Sequence, residues 1–246
     1  MNPRKTWIWS GIGSISPIDD PGIVPGGESK KSAPVQAAGL KDPGRGEGGR
    51  PMGDASARKT LIFNGSPRSQ GDTAALIRAL TEGLAGEYRV VDCYRADISP
   101  CVDCRACRRE KRCVLRDEMQ EIYPYIEACG NIVIASPIYY AELTGRLLDI
   151  ASRFQVYYSA RAFRNEDPGI RPKKGGVILA GGGDGDPKRP YATAKILLRQ
   201  LNVREIFPLV CSHRTNDLPA GEDGEALSKV RELAAFLNTR KARYRA

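Results

Sequence analysis

The sequence predicts a three-layer α/β fold, one parallel β-sheet with helices packed on both faces. Short runs that are apolar throughout alternate along the chain with longer runs of helical spacing. Strands that are apolar on both sides belong to parallel sheets covered on each face. The segments that follow the strands are rich in glycine, serine and asparagine, as expected where such sheets receive their ligands.

Lys59–Phe63 (KTLIF) is the first strand, closed by a turn at Asn64–Gly65. Asp72 stands in the N-cap place before the helical spacing of Ala75, Leu76, Ala79, Leu80 and Leu84. Tyr88–Cys93 (YRVVDC) is the second strand, followed by an irregular cysteine-bearing loop over 100–116. A helix runs from about Glu118 to Ala128, and Asn131–Ala135 (NIVIA) is the third strand. Leu143–Tyr158 is helical, Lys174–Ala180 (KGGVILA) is the fourth strand, and Ala192–Leu201 is a helix. Arg204–Cys211 is the fifth strand and Glu222–Asn238 the closing helix. Five strands so separated imply a doubly wound, flavodoxin-like sheet of order 2-1-3-4-5, with ligands at the carboxyl ends of strands 1 and 3.

Residues 1–57 have no such pattern. They are rich in glycine and proline, and their apolar residues follow neither a helical nor a strand period, so a disordered extension is expected there, with Met52 a candidate start. The short apolar run Trp7–Trp9 is far below the length of a secretory signal. Residues 58–246 are expected to form one domain. No stretch approaches the roughly 20 apolar residues of a membrane span, and a cytoplasmic location is expected. Most of the net charge of +9 falls on the domain. The aromatic residues are few and not interleaved with the basic ones, and no helix-turn-helix, RNA-recognition or zinc-finger pattern occurs, so nucleic acid is not an expected partner.

Cys101, Cys104, Cys107 and Cys113 are spaced C-x2-C-x2-C-x5-C. Three thiolates two residues apart can wrap a compact cluster, and a fourth completes the coordination of a [4Fe–4S] cubane. Structural zinc usually takes two separated pairs of ligands, and disulfides need an oxidising compartment. Free thiols in a loop without a metal remain a further alternative. Cys93, Cys129 and Cys211 fall within predicted strands and a helix and are expected to be small buried hydrophobes. His213 is the sole histidine, so a histidine-based triad or multi-histidine metal site is excluded.

After strand 1, the run Asn64-Gly65-Ser66-Pro67-Arg68-Ser69-Gln70-Gly71-Asp72-Thr73 gathers hydroxyls, glycines and an arginine at a helix N-terminus. Free amides, the helix dipole and a forked guanidinium make an anion site. It is neither a Walker loop nor G-x-G-x-x-G, so a single phosphate fits better than a pyrophosphate. Ser136-Pro137-Ile138-Tyr139-Tyr140 after strand 3 can supply a flat apolar wall for an isoalloxazine ring. Gly181-Gly182-Gly183-Asp184-Gly185 after strand 4 lets backbone amides approach closely. Together these loops point to FMN.

Gly65-Ser66-Pro67-Arg68 with Gly71-Asp72-Thr73, the four-cysteine loop followed by Asp117-Glu118-Met119, and Ser136-Pro137-Ile138-Tyr139 with Gly145 resemble the iron–sulfur flavoproteins of the wider NADPH-dependent FMN reductase group. The resemblance spans about Lys59 to Leu201. It implies FMN with its phosphate on Ser66, Arg68, Gln70, Asp72 and Thr73, and its ring against Ser136, Pro137, Ile138, Tyr139 and Tyr140, with Gly181, Gly182, Gly183 and Asp184 alongside. It also implies a [4Fe–4S] cluster on Cys101, Cys104, Cys107 and Cys113, and a homo-oligomer, dimer or tetramer, that brings cluster and flavin of neighbouring subunits together. Asp72 stands where relatives usually have asparagine, and Ser152–Arg153 replaces a common Asp-Arg pair.

The expected function is FMN-dependent electron transfer, fed by NAD(P)H or by a protein donor such as a ferredoxin. No protein acid or base is obligatory for it. The alternatives are an NAD(P)H-dependent FMN or quinone reductase without a cluster, and a non-enzymatic module binding a phosphorylated ligand. Arg105, Arg108, Arg109, Lys111, Arg112 and Arg116 form a basic rim suited to steering an acidic carrier or receiving the 2′-phosphate of NADPH. Asp149, Arg153 and Lys195 are expected to be helix-surface charges.

Overall fold

The computed structural model describes residues 59–239. The extension expected over residues 1–57 lies outside them. The strands are β1 (Thr60–Asn64), β2 (Tyr88–Asp92), β3 (Asn131–Pro137), β4 (Lys173–Ala180), β5 (Val203–Ile206) and β6 (Val210–Ser212). The helices are α1 (Asp72–Glu82), α2 (Met119–Ala128), α3 (Gly145–Ala151), α4 (Gln155–Phe163), α5 (Lys188–Gln200) and α6 (Gly224–Asn238). The sheet runs β2-β1-β3-β4-β5, with β6 also paired to β4, and every pairing is parallel. This is the flavodoxin-like order.

Alternation along the central strands fills two cores. Leu61, Phe63, Ile132, Ile134, Val177 and Leu179 point to one face, where they meet Met119, Ile122 and Ile126 of α2 and Leu147, Ile150, Tyr157 and Leu198 of α3, α4 and α5. Ile62, Val133, Ala135 and Ile178 point to the other and meet Leu76 and Leu80 of α1 and Val230 and Leu233 of α6. A Cβ on Gly176 would lie 2.6 Å from Leu233 Cδ1, so α6 seats closely on β4 only because that residue is glycine.

The fifth strand is divided rather than continuous over Arg204–Cys211. Gly175 pairs with Ile206 and Ile178 with Val210, so Gly176 and Val177 face three residues, Phe207, Pro208 and Leu209. Pro208 has no N–H to give the ladder, and the surplus residue bulges out there. The expected helix over Leu143–Tyr158 is also two helices, joined by a 3-10 turn at Ser152–Phe154. The Ser152 hydroxyl donates to the Asp149 carbonyl at 2.5 Å, a local bond that competes with the helical ladder.

Two adjacent lysines open β4, and both are buried. Strand alternation sends them to opposite faces. Lys173 Nζ donates to Cys129 O at 2.6 Å, at the end of α2, and Lys174 Nζ to Phe236 O at 3.3 Å and Thr239 O at 3.1 Å, at the end of α6. Each ammonium therefore satisfies carbonyls that a helix leaves open and sits at the negative end of its dipole.

Candidate functional site

The loops after β1 and β3 are bound together before any ligand is considered. Thr144 Oγ donates to Gly65 O at 2.8 Å, and the Thr144 amide donates to the buried Ser136 Oγ at 3.2 Å. A Cβ on Gly65 would stand 2.8 Å from Leu147 Cδ1 and 2.9 Å from Thr144 Oγ1, so the close passage of these loops requires glycine. Ser66 is buried and turned inward: its amide donates to Asn64 Oδ1 at 3.0 Å and its Oγ accepts the Arg68 amide at 3.2 Å.

Helix α1 begins at Asp72 after Gly71, and no side chain caps it. The N-cap role expected of Asp72 is therefore corrected: it is the first helical residue, and its Oδ1 accepts the Ala220 amide at 2.9 Å. The amides of the first turn have no intrahelical acceptor and are left for an anion. They border a cavity of about 540 Å³ lined by Arg68, Gln70 and Asp72, together with Arg95, Thr215 and Pro219. The buried Thr73 is next in the helix. The uncapped terminus, the glycine-only crossing and the polar cavity fit a phosphate. Engaging Asp72 with the Ala220 amide gives its carboxylate a hydrogen-bond partner away from the helix amides.

Arg95, Thr215 and Pro219 were not singled out from the sequence. Arg95 follows β2, the neighbour of β1, so topology alone could have indicated it. The segment carrying Thr215 and Pro219 is brought over by tertiary bonds: the Thr215 amide donates to Gly181 O at 3.0 Å, and the Gly181 amide to Ser212 O at 2.9 Å.

Ile138 lies against Gly181, and the Ile138 amide donates to Ala180 O at 2.8 Å, so the loop after β3 meets the glycine loop after β4. Gly182 faces the Asn216 side chain, and the exposed Asp184 pairs with Arg214 at 3.3 Å. Pro137 ends β3. Tyr139 and Glu142 close a hairpin turn through amide–carbonyl bonds of 3.0 and 2.9 Å. Its central residues, Tyr140 and Ala141, take φ of 51° and 58°, the two positive values a two-residue primed turn demands. The Tyr140 side chain is fully exposed at the tip of that turn.

The cysteines form a second place. Cys101, Cys104, Cys107 and Cys113 all line one cavity of about 220 Å³ between their loop and α4, with Arg105, Arg108 and Arg153. Among the described residues no three of His, Cys, Asp or Glu meet closely enough to grip a single ion. The thiols instead stand around a space. None of the seven cysteines is in a disulfide.

Arg153 organises this loop and is not the surface charge expected of it. The residue is 1% exposed. Nη1 donates to Asp117 Oδ2 at 2.5 Å and to Ser99 O at 2.8 Å, and Nη2 to Asp117 Oδ1 at 3.1 Å. The guanidinium thus ties Ser99, ahead of Cys101, to Asp117, beyond Cys113. Burial opposes the Asp117 charge, but hydrogen bonds from Arg153 and the Ser99 and Met119 amides outweigh it and hold its pKa below the ordinary carboxylate range. The same pairing raises Arg153 against its own burial. Ser152 Oγ accepts the Cys101 amide at 2.9 Å, tying the first of the four cysteines to the junction between α3 and α4. Arg164 donates to Cys107 O, and Cys107 Sγ lies 3.3 Å from Ser159 Oγ.

The remaining thiols behave differently. Burial pushes Cys93 up to about 12 and Cys211 up to about 11, and raises Cys129, so these three stay protonated. Cys211 Sγ is 3.2 Å from Nε2 of His213, just past β6.

A doubly wound sheet with an uncapped helix terminus at its winding reversal is the architecture in which α/β domains receive nucleotides. The model of the NADPH-dependent FMN reductase family matches residues 58–215, and the chain belongs to that family of flavin-dependent oxidoreductases. It is 26% identical over 180 residues to an iron-sulfur flavoprotein of Archaeoglobus fulgidus, covering 72% of this chain and 77% of the relative. It is 30% identical over 129 residues to one from Methanocaldococcus jannaschii, covering 51% of this chain and 62% of the relative. Among solved structures it resembles an NAD(P)H:quinone oxidoreductase from Methanothermobacter marburgensis, with a TM-score of 0.57 and 16% identity over 75% of this chain and 98% of that one. An FMN-dependent NADH-azoreductase from Bacillus anthracis gives 0.54 and 18%, over 74% and 100%.

Proposed function

We propose that this FMN-dependent oxidoreductase also carries a [4Fe–4S] cluster on Cys101, Cys104, Cys107 and Cys113 and passes electrons between flavin and cluster. The observation that carries this reading is the arrangement of four thiols around one cavity rather than at a point. A polynuclear cluster needs its ligands spread about its body, whereas a tetrahedral zinc needs them drawn to about 2.3 Å from one centre. The names of the curated relatives agree with it.

Flavin, when bound, takes two electrons as hydride and releases them singly, and the cluster takes one at a time. The chain supplies binding and electrostatics. Arg68, Gln70 and the first-turn amides of α1, those of Asp72 and Thr73 among them, hold the phosphate, and Ser66 braces the Arg68 amide beside it. Ser136, Pro137, Ile138 and Tyr139 lie along the ring with Gly181, Gly182, Gly183 and Asp184. Tyr140, exposed at the tip of the turn, is free to close over the ring or to meet a neighbouring subunit. The electron donor is NAD(P)H or an acidic carrier protein such as a ferredoxin, the assembly is a homo-oligomer, and the uncombined thiols call for a reducing compartment such as the cytoplasm. Among the described residues no helix is long and apolar enough to cross a membrane.

Anaerobic purification followed by a visible spectrum, iron and sulfide analysis, and EPR after reduction tests this reading. Bound flavin with the iron and sulfide of one cubane per chain is the expected result. A yellow protein that takes up neither iron nor sulfide on reconstitution sinks the cluster and leaves a flavin reductase. A protein that binds no FMN sinks both.

A further inference from the structure

We infer that the Nε–H of Arg153 donates to a sulfur of the group held by the four cysteines and thereby favours that group's reduced state. This rests on the cluster reading above.

The terminal nitrogens of Arg153 are spent on Asp117 and Ser99 O. Its Nε is buried and has no acceptor. A buried donor without a partner is costly, so it marks a place where an acceptor belongs. The guanidinium lines the same cavity as the four thiols. Cys113 and the Tyr123 hydroxyl both lie beside the Arg153 guanidinium. The end-on fork with Asp117 fixes the guanidinium plane, so Nε is held ready rather than swung in.

The other cations at this cavity are poorer tuners. Arg105 pairs with Asp103 at 3.3 Å, and both side chains are exposed. Arg108 stacks on Phe163, 4.3 Å from the ring centroid. Solvent screens these charges, whereas a hydrogen bond from a buried guanidinium acts at low dielectric. When the cluster accepts one electron its negative charge grows by one and no bond breaks. The charge falls partly on its sulfurs, and a donor to sulfur stabilises that state.

The test uses the full chain, reconstituted anaerobically with ferrous iron and sulfide, as wild type and Arg153→Lys. Lysine keeps a cation for Asp117 but has no Nε donor. The readouts are iron and sulfide content and an EPR-monitored redox titration with dithionite as the one-electron source. The variant is expected to keep its cluster while its reduced-to-oxidised ratio at a fixed potential falls about tenfold, a shift of about 59 mV to more negative potential. An unchanged potential overturns the role of Arg153 and leaves the cluster standing. A wild-type chain that takes up no iron overturns both.

If the lysine variant does not fold, pulsed EPR decides on a chain labelled with 15N-arginine, with Arg105, Arg108 and Arg164 changed to lysine. Coupling of an arginine nitrogen to the reduced cluster is expected. Coupling only to exchangeable water protons overturns the inference.

Discussion

Asp72 illustrates how one side chain can be misread from its position. A carboxylate at a helix N-terminus suggests a cap, and a carboxylate beside a phosphate suggests repulsion. Its bond to the Ala220 amide shows a third role, anchoring the loop that carries Thr215 and Pro219 to the rim of the cradle. Asp72→Asn keeps an oxygen for that amide and removes the charge. It is expected to bind FMN a few-fold more tightly with unchanged melting temperature, as read by flavin-fluorescence titration; equal binding would show that the charge is of no consequence to the phosphate, and weaker binding that the carboxylate supports the cradle. The buried lysines make a similar point. Lys173→Met leaves the Cys129 carbonyl at the end of α2 without its donor, at a cost of about 1–3 kcal/mol. A melting temperature lower by several degrees is expected, and an unshifted one would mean that water replaces the ammonium.

Among the elements, the cysteine loop depends on a helix junction. Ser152 and Arg153 hold Cys101, Ser99 and Asp117 from the 3-10 turn between α3 and α4, and Arg164 near the end of α4 holds Cys107. The clamp is pH-sensitive in a definite direction. The Asp117 pKa is depressed by folding, so its stabilising contribution is complete above the ordinary carboxylate value of about 4 and disappears as pH falls through the lower, folded value. Urea midpoints measured from pH 5 downward should therefore drop more steeply for wild type than for Asp117→Asn. Parallel curves would show that the pair contributes nothing to acid stability.

At the scale of the whole molecule, the positive charge is distributed unevenly in effect. Around the cysteines, Arg105 and Arg112 are neutralised by Asp103 and Glu110, and Lys111 stands 3.9 Å from Glu127. Arg109 and Arg116 have no ion-pair partner among the described residues, so they and the stacked Arg108 are the charges left to steer the acidic carrier proposed above. Arg109→Glu is expected to slow reduction by an acidic electron-carrier protein at low ionic strength. The difference should vanish at high salt, where the Debye length is only a few ångströms. A rate in stopped-flow mixing that is indifferent to the substitution at low salt would remove the rim from the encounter.

The winding of the sheet, the alternation of Leu61, Ile62 and Phe63 between two cores, and the glycine- and hydroxyl-rich loop that leads from β1 into α1 were all legible in the sequence. Each is local: an apolar run, a turn residue and a helix start lie within about ten residues of one another, and their periodicity dictates the layers. The spacing of the four cysteines was legible for the same reason. What the tertiary structure alone decided was every bond made across distance. The burial of Arg153 against Asp117, the lysine caps sent to opposite faces, the Thr144 tether to Gly65 and the arrival of Thr215 at the cradle join residues tens of positions apart. A charged residue in a helix reads the same in sequence whether it faces water or a buried carboxylate. Only the packing of the third layer chooses between them, because that packing sets the dielectric and supplies the partner.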